Sequence, residues 1–308
     1  MNGLTASHND PQGADMPDIA PTAVLGAGAL GAAMAVRLGE TGHDVRLWNR
    51  SPERARAAAA GADGVAAVAT VEEAVSGAPV VMTVLRDGEA VAQVMGHAVS
   101  ELDPGAVWVQ ASTVGPERAR SLAHLAQDHG VAYLDAPVSG STAPARSGTL
   151  VWLVAGGDDA LDRARPVLDD LATSVLHVGA EVEGSALKLA VNAWMTAATV
   201  AMSDVLALCD ALSIDHGVFV DALEAGPLAM PYALQKLRLM DEHSYQPGFA
   251  AELALKDVDL AAASATLSPL LQTVRDRLQS AVAAGHGHDD LAAVDYLREG
   301  AGGRGRTT

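Results

Sequence analysis

Two groups of residues in this chain have the types and spacing for chemistry. The first is Gly26-Ala27-Gly28-Ala29-Leu30-Gly31, a GxGxxG run. It follows the apolar segment Thr22-Ala-Val-Leu25 and opens an amphipathic stretch at 30–39. Glycines between a strand and a helix are the context of a dinucleotide fingerprint. Gly26 would make the tight turn, Gly28 would let a pyrophosphate approach the backbone, and Gly31 would let helix and strand pack closely. The helix start then offers N–H groups and partial positive charge to the phosphates. The second group is Lys188 with Asn192. Four residues apart, they share one face of a helix. Lys188 lies in the apolar run Ala186-Leu-Lys-Leu-Ala-Val191, where an idle charge is costly to bury. A lysine desolvated beside a cofactor has its pKa lowered toward the range in which it exchanges protons.

The tip of the second predicted strand bears on the cofactor. An NAD site places Asp or Glu about 20 residues past the glycines, on the ribose diol. Here the strand at 43–48 ends Leu47-Trp48-Asn49-Arg50-Ser51 with no acid at its tip, and Asp44 lies at the other end. Arg50 can face a 2′-phosphate in fork geometry, with Asn49 and Ser51 as further donors. The expected cofactor is NADP(H). NAD(H) stays open if Arg50 only stacks over the adenine.

Such residues need a scaffold that brings strand ends and helix starts together. Short apolar segments at 79–84, 107–110, 131–134 and 150–155 alternate with helical patterns such as 52–60 and 117–129. Ser51 reads as an N-cap, with Pro52 at the first helical position. This alternation predicts a mostly parallel sheet covered on both faces. The pattern changes near Gly179. Residues 182–212 hold no proline and one glycine, Gly184, and read as one long helix, hydrophobic around most of its circumference and buried between domains or subunits. Only helical patterns follow, at 217–223, 232–240, 250–265, 269–284 and 290–299. The expected fold is an α/β Rossmann-type N-terminal domain, then an all-α C-terminal domain, joined by the long helix. The expected bounds are a tail at 1–20, the cofactor domain at 21–181, the all-α substrate and dimerisation domain at 182–299, and a tail at 300–308.

The 308 residues suffice for two domains at about 150 each. Lys and Arg number 20 against 38 Asp and Glu, a net charge of −18, which repels nucleic acid and anionic membranes. The single cysteine, Cys209, cannot form an internal disulfide and reads as an inert core thiol. With no apolar leader and no uncharged stretch of roughly 18 apolar residues, a cytoplasmic protein is expected. His286-Gly-His288-Asp289-Asp290 reads as a polar loop with Asp289 or Asp290 capping a helix, so no metal is expected. Met195, Met202, Met230 and Met240 read as core or interface filler. Trp194 can reach either a pocket or a subunit contact.

Three further blocks carry a resemblance. They are Asp135-Ala-Pro-Val-Ser-Gly140, Gly184-Ser-Ala-Leu-Lys188-Leu-Ala-Val-Asn192, and Phe249-Ala-Ala-Glu-Leu-Ala-Leu-Lys256-Asp257-Val-Asp-Leu-Ala261. With the glycine run, in this order and spacing, roughly residues 20–298 resemble the β-hydroxyacid dehydrogenases, in particular the 3-hydroxyisobutyrate dehydrogenase-like group. The resemblance implies that Lys188 is the general acid/base at the substrate oxygen, with Asn192 positioning it. It implies that hydride moves between nicotinamide C4 and the substrate carbon. Ser139 and Gly140 match a substrate-carboxylate loop. Ser141 stands where the family commonly has a second glycine, which leaves the size of the acceptor group open. Lys256 matches a lysine at the nicotinamide end, oriented by Asp257. Leu85 and Arg86 match a loop at the cofactor ribose, and Thr113 matches a position lining the nicotinamide. Val182 replaces another family glycine. Glu181 and Glu183 make the loop before the helix acidic, which is expected to raise the pKa of Lys188 or favour a less anionic substrate.

Taken together, these residues lead to the expectation of an NADP-preferring oxidoreductase. It would interconvert a small 3-hydroxy acid and its semialdehyde or keto acid, and would act as a homodimer or larger. Imine reductases share the two-domain plan and look similar at Leu47-Trp-Asn-Arg50. They generally lack a lysine at position 188 and the Pro-Val-Ser-Gly loop, so imine reduction is the alternative. A non-catalytic NADP-binding protein is a further one.

Overall fold

The first half of the chain alternates strand and helix because short apolar runs are separated by glycines, prolines and capping residues. In the computed structural model the described residues are 20–296 and 298, and the tails expected at 1–20 and 300–308 lie outside them except for Ala20. β1 (Thr22–Leu25) leads into α1 (Ala29–Glu40), β2 (Val45–Trp48) into α2 (Pro52–Ala59), and β3 (Val65–Ala67) into α3 (Val71–Val75). β4 (Val80–Thr83) leads into α4 (Gly88–Ala98) and β5 (Val107–Gln110) into α5 (Pro116–Asp128). Then come β6 (Ala132–Asp135), β7 (Val138–Ser139), α6 (Thr142–Ser147), β8 (Leu150–Gly156), α7 (Asp158–Asp170) and β9 (Ala172–Gly179).

The nine strands form one sheet in the order β3-β2-β1-β4-β5-β6-β8-β7, with β9 paired to β8. β1 to β6 pair in parallel, whereas β8 runs against β6 and β7. Every residue of β1, β4 and β5 is buried, as strands covered on both faces must be. One layer of the core packs around Trp152, Met34 and Leu38, the other around Trp108, Met95 and Leu122. The strand order reverses between β1 and β4. In an open α/β sheet a crevice opens there, beyond the carboxyl ends of the strands.

α8 (Glu183–Ala211) then runs for 29 residues. It is followed by α9 (His216–Glu224), α10 (Pro231–Asp241), α11 (Ala251–Ser264) and α12 (Pro269–Ala281). A second core joins α8, α10, α11 and α12 through Leu206, Met240, Ala254 and Leu278, with Met202 buried in it; Cys209 on α8 is also buried. Met195 and Met230 pack at its margin.

The structure departs from expectation at several places. β3, β7 and β9 have no strand signal in the sequence: β3 and β7 are very short, and β9 is a half-exposed edge strand. α12 stops at Ala281 and gives way to a π turn, within which Gly285 adopts a φ of 101°. The helix expected at 290–299 begins as a 3-10 segment, Leu291–Asp295, capped by Asp290. Within the single chain α8 leaves Trp194 65% exposed and Leu208 56%. By length and composition α8 is apolar enough to cross a membrane. Its inner face nevertheless carries Lys188, Asn192 and Ser203 and packs on α10, α11 and α12, the pattern of a core helix.

Candidate active site

The glycine loop joins β1 to α1 at the switch in strand order. Gly26 has a φ of 124°, and a Cβ added there would lie 2.2 Å from Val84 O. A Cβ on Gly31 would lie 2.0 Å from Gly26 O. The protein's own packing therefore demands these two glycines. Gly28 differs, because a Cβ there meets nothing within 4 Å. Its bare backbone faces open space, with Ala29 exposed beside it and Leu30 half-buried. No side chain caps α1, so its first N–H groups are left for an anion. Space and donors together fit a dinucleotide pyrophosphate.

At the tip of β2 the side chain of Asn49 bonds backbone on either side. Its Oδ1 accepts from Ala27 N at 3.0 Å and its Nδ2 donates to Ser51 O at 3.1 Å. These bonds pin the glycine loop to the strand end, and the second Nδ2 hydrogen remains for a ligand. Arg50 and Ser51 are exposed. Ser51 occupies the N-cap position of α2 without making a side-chain cap bond, so its hydroxyl is spared. Exposed Arg54, in the first turn of α2, adds a cation that sequence reasoning missed. Its signal was the three-residue step from Ser51 on a helix that starts there.

The neighbouring loops are clipped together by buried polar groups. Leu85 N donates to Ser112 Oγ at 2.8 Å, and Ser112 Oγ donates to Thr83 O at 3.2 Å. Gln110 bonds both backbone groups of Ser112. Gln110 and Ser112 were also missed. They hold the loops that carry Leu85, Arg86 and half-buried Thr113 at the ends of β4 and β5. Arg86 reaches across to α11, with Nη2 3.7 Å from Glu252 Oε1.

α8 and α11 supply the charged centre. Lys256 Nζ donates to Thr113 O at 2.7 Å and lies 2.8 Å from Asp257 Oδ1. Buried Asp257 accepts from Asn192 Nδ2 at 2.5 Å through its other oxygen. A carboxylate only accepts, so the Asn192 amide nitrogen must face it and the amide oxygen is turned away. Lys188, one turn before Asn192, is 9% exposed. Burial lowers its pKa to about 8; the charge of Asp257 opposes that fall and the charge of Lys256 adds to it.

The expected influence of Glu181 and Glu183 on Lys188 is not found. Glu183 folds back and accepts from Glu181 N at 2.8 Å. Backbone N–H groups, that of Glu181 foremost, hold its pKa below the usual range. Its carboxylate is spent on the start of the helix.

β7 packs against α8, which sets half-buried Ser139 beside the lysine helix. Gly140 has a φ of 128°, and Ser141 stands at the N-cap of α6 without a side-chain bond there. A groove of about 350 Å³ runs along Glu252, Lys256 and Asp259 of α11. Trp194, two residues past Asn192, is 65% exposed. His286 Nδ1 lies 2.8 Å from Asp289 Oδ2, and His288 contacts Glu252 at 3.4 Å. Among the described residues no three His, Cys, Asp or Glu side chains group as a metal set.

Known proteins resemble this chain over most of its length. Residues 21–179 match the NAD binding domain of 6-phosphogluconate dehydrogenase, and residues 183–297 match the NAD-binding domain of NADP-dependent 3-hydroxyisobutyrate dehydrogenase. A probable 3-hydroxyisobutyrate dehydrogenase of Mycobacterium tuberculosis is 32% identical, over 88% of this chain and 95% of that protein. The solved structure of M. tuberculosis 3-hydroxyisobutyrate dehydrogenase with L-serine superposes with a TM-score of 0.82 at 30% identity, covering 91% of this chain and 99% of that one. An imine reductase variant of Myxococcus stipitatus with NAD+ reaches a TM-score of 0.61 at 23% identity, over 89% and 97% of the chains, a likeness of fold.

Proposed function

We propose, from the premise that the chain belongs to the 3-hydroxyisobutyrate dehydrogenase-like group of β-hydroxyacid dehydrogenases, a specific reaction for its site. The group consists of NAD(P)-dependent oxidoreductases acting on CH–OH donors. For this member the proposed reaction is the interconversion of a small 3-hydroxy acid with its semialdehyde or keto acid, with NADP(H) preferred. The observation that carries this reading is Lys188: an ammonium in an apolar helix, with a pKa lowered to about 8 by burial, beside the Asn192–Asp257–Lys256 chain. A buried group poised near neutral pH is what proton transfer to a substrate oxygen needs.

The bound nicotinamide supplies or takes up the hydride at the substrate carbon. The chain's own residues do the rest. Lys188 gives a proton to the substrate oxygen in reduction and receives it in oxidation. Asn192, fixed by Asp257 through its amide nitrogen, would use its amide oxygen to position the lysine and the substrate oxygen. Ser139, Gly140 and Ser141 would hold the substrate carboxylate through hydroxyl and N–H groups. Gly26 to Gly31 and the start of α1 would hold the pyrophosphate, while Leu85, Arg86, Thr113 and Lys256 would frame the ribose and nicotinamide. Residues 21–181 are assigned to the cofactor, and 182–299 to substrate and subunit contact. The exposed Trp194, Leu208 and Leu212 supply an apolar face for a homodimer. The lone cysteine supports a cytoplasmic setting, where thiols stay reduced.

NADPH consumption is followed optically across a panel of small semialdehydes, keto acids and cyclic imines. Turnover of the carboxylate-bearing carbonyls is expected. Activity on imines alone would replace this reading by imine reduction, and silence across the panel would leave a binding protein. The cofactor preference has its own test. Arg50→Asp is expected to weaken NADPH by about ten- to a hundredfold, an opposed charge in place of a fork contact. NADH binding should change little. Equal losses for both cofactors would refute the 2′-phosphate role.

A further inference from the structure

Asp135 ends β6 and is completely buried. Its Oδ2 accepts from Ser185 N and its Oδ1 from Ser185 Oγ, each at 2.6 Å. Ser185 lies in the first turn of α8 and is itself 1% exposed. Next to it, a Cβ on Gly184 would lie 2.3 Å from Leu153 O and 2.6 Å from Asp135 O. The helix therefore starts pressed against the end of β6 and the middle of β8, and one carboxylate fastens it there.

The position of this clasp matters. Four residues after Asp135 stands Ser139, on the loop assigned to the substrate carboxylate. Three residues after Ser185, on the same helix face, stands Lys188. One residue thus joins the element that would hold the substrate to the element that carries the proton. We propose that Asp135 is a positioning residue for the reaction, registering Lys188 against the loop at 138–141 through its two bonds to Ser185. The proposal rests on the reading of Lys188 as the proton-transferring group.

The cost of this arrangement supports it. Burial pushes the carboxyl of Asp135 up to about 6, against the pull of both Ser185 bonds, and the charge of Glu183 adds to the rise. Asp135 faces neutral residues across the sheet, Gln110 on β5 and Ala155 on β8. Burial first, and then the charge of Asp135, raise the pKa of the Tyr133 hydroxyl behind it. No cationic side chain is paired with this carboxylate among the described residues, and such burial is expensive. Here the positive end of α8 and two short charge-assisted bonds take that place.

The test compares full-length Ser185→Ala, Asp135→Asn and Asp135→Ala with the unaltered enzyme. Ser185→Ala removes one bond and little volume. It should lower kcat by about tenfold or more, as small misplacements of a reacting group do, while the NADPH Kd stays within about twofold. The titration midpoint of Lys188, read by pH-dependent acylation and mass spectrometry, should rise by about one unit as water reaches the loosened turn. Asp135→Asn keeps the shape and can keep both contacts if the Ser185 hydroxyl turns. It should retain more activity than Asp135→Ala. Folded Ser185→Ala and Asp135→Asn with unchanged kcat and unchanged lysine midpoint would overturn the proposal. So would losses in kcat matched by equal losses in NADPH affinity. If Asp135→Ala does not fold, Ser185→Ala decides alone. The lysine midpoint needs no substrate. An unaltered enzyme idle on the whole carbonyl panel would sink the assigned reaction, and the titration would still decide the clasp.

Discussion

Lys188→Ala should lower turnover by about two orders of magnitude or more while leaving NADPH affinity nearly unchanged, the usual worth of a positioned general acid. A hundredfold loss corresponds to about 2.7 kcal/mol of transition-state stabilisation. The direction of the pH dependence comes from the lysine's state. Burial lowers its pKa to about 8. In reduction Lys188 must hold its proton, so the rate should fall as pH rises through about 8. In oxidation it must be empty, so the rate should rise over the same range. Both limbs should vanish from the residual activity of Lys188→Ala. Lys188→Arg should be nearly as inactive, because a guanidinium stays protonated. Near-normal turnover in Lys188→Ala, or limbs that persist without the lysine, would remove it from the proton-transfer step.

The second large effect is on stability and is lopsided. Lys236 on α10 and Asp290 form a buried pair at 2.6 Å, with the lysine 4% and the aspartate 0% exposed. Asp290 also accepts from Gly248 N, Phe249 N and Ala292 N. Asp290→Ala strands a buried ammonium and three backbone donors, and should cost about 3–5 kcal/mol. That is a large part of the roughly 5–15 kcal/mol usual for a domain. Lys236→Met leaves the carboxylate with its three donors and fills the space with apolar atoms, so it should cost much less. Urea unfolding of both variants checks this. Equal losses, or an Asp290→Ala midpoint near that of the unaltered protein, would contradict the assigned roles.

What could be read from the sequence was mostly local. The strand–glycine–helix unit at 22–40 shows in adjacent residues, and so does the long helix from 183. Lys188 stood out because its neighbours are apolar, and its burial follows from them. The unseen features depend on partners far along the chain. The second role of Asn49, as a pin on the glycine loop, shows only once that loop folds back to within 3.0 Å of its Oδ1. Asp135 and Ser185 are 50 residues apart, and Lys236 and Asp290 are 54 apart. Neither pair has a spacing that announces it. The acids at 181 and 183 misled for the same reason: proximity in sequence suggested Lys188, but the backbone turned Glu183 onto its own helix start. β9 was missed because an edge strand with exposed positions lacks the apolar run that marks β1 or β4.

α8 can also be regarded as a lever. Its 29 residues span roughly 43 Å at about 1.5 Å each. The fulcrum is Gly184, wedged against the sheet. A tilt of about 5° there would sweep the far end, near Ala211, through about 3.5 Å, but would shift Lys188, only about 6 Å from the fulcrum, by roughly half an ångström. Breathing of the helical half is thus geared down before it reaches the reacting end. The same rod carries outward motion at its distal end with full amplitude, so the two ends can answer to different demands without a hinge between them.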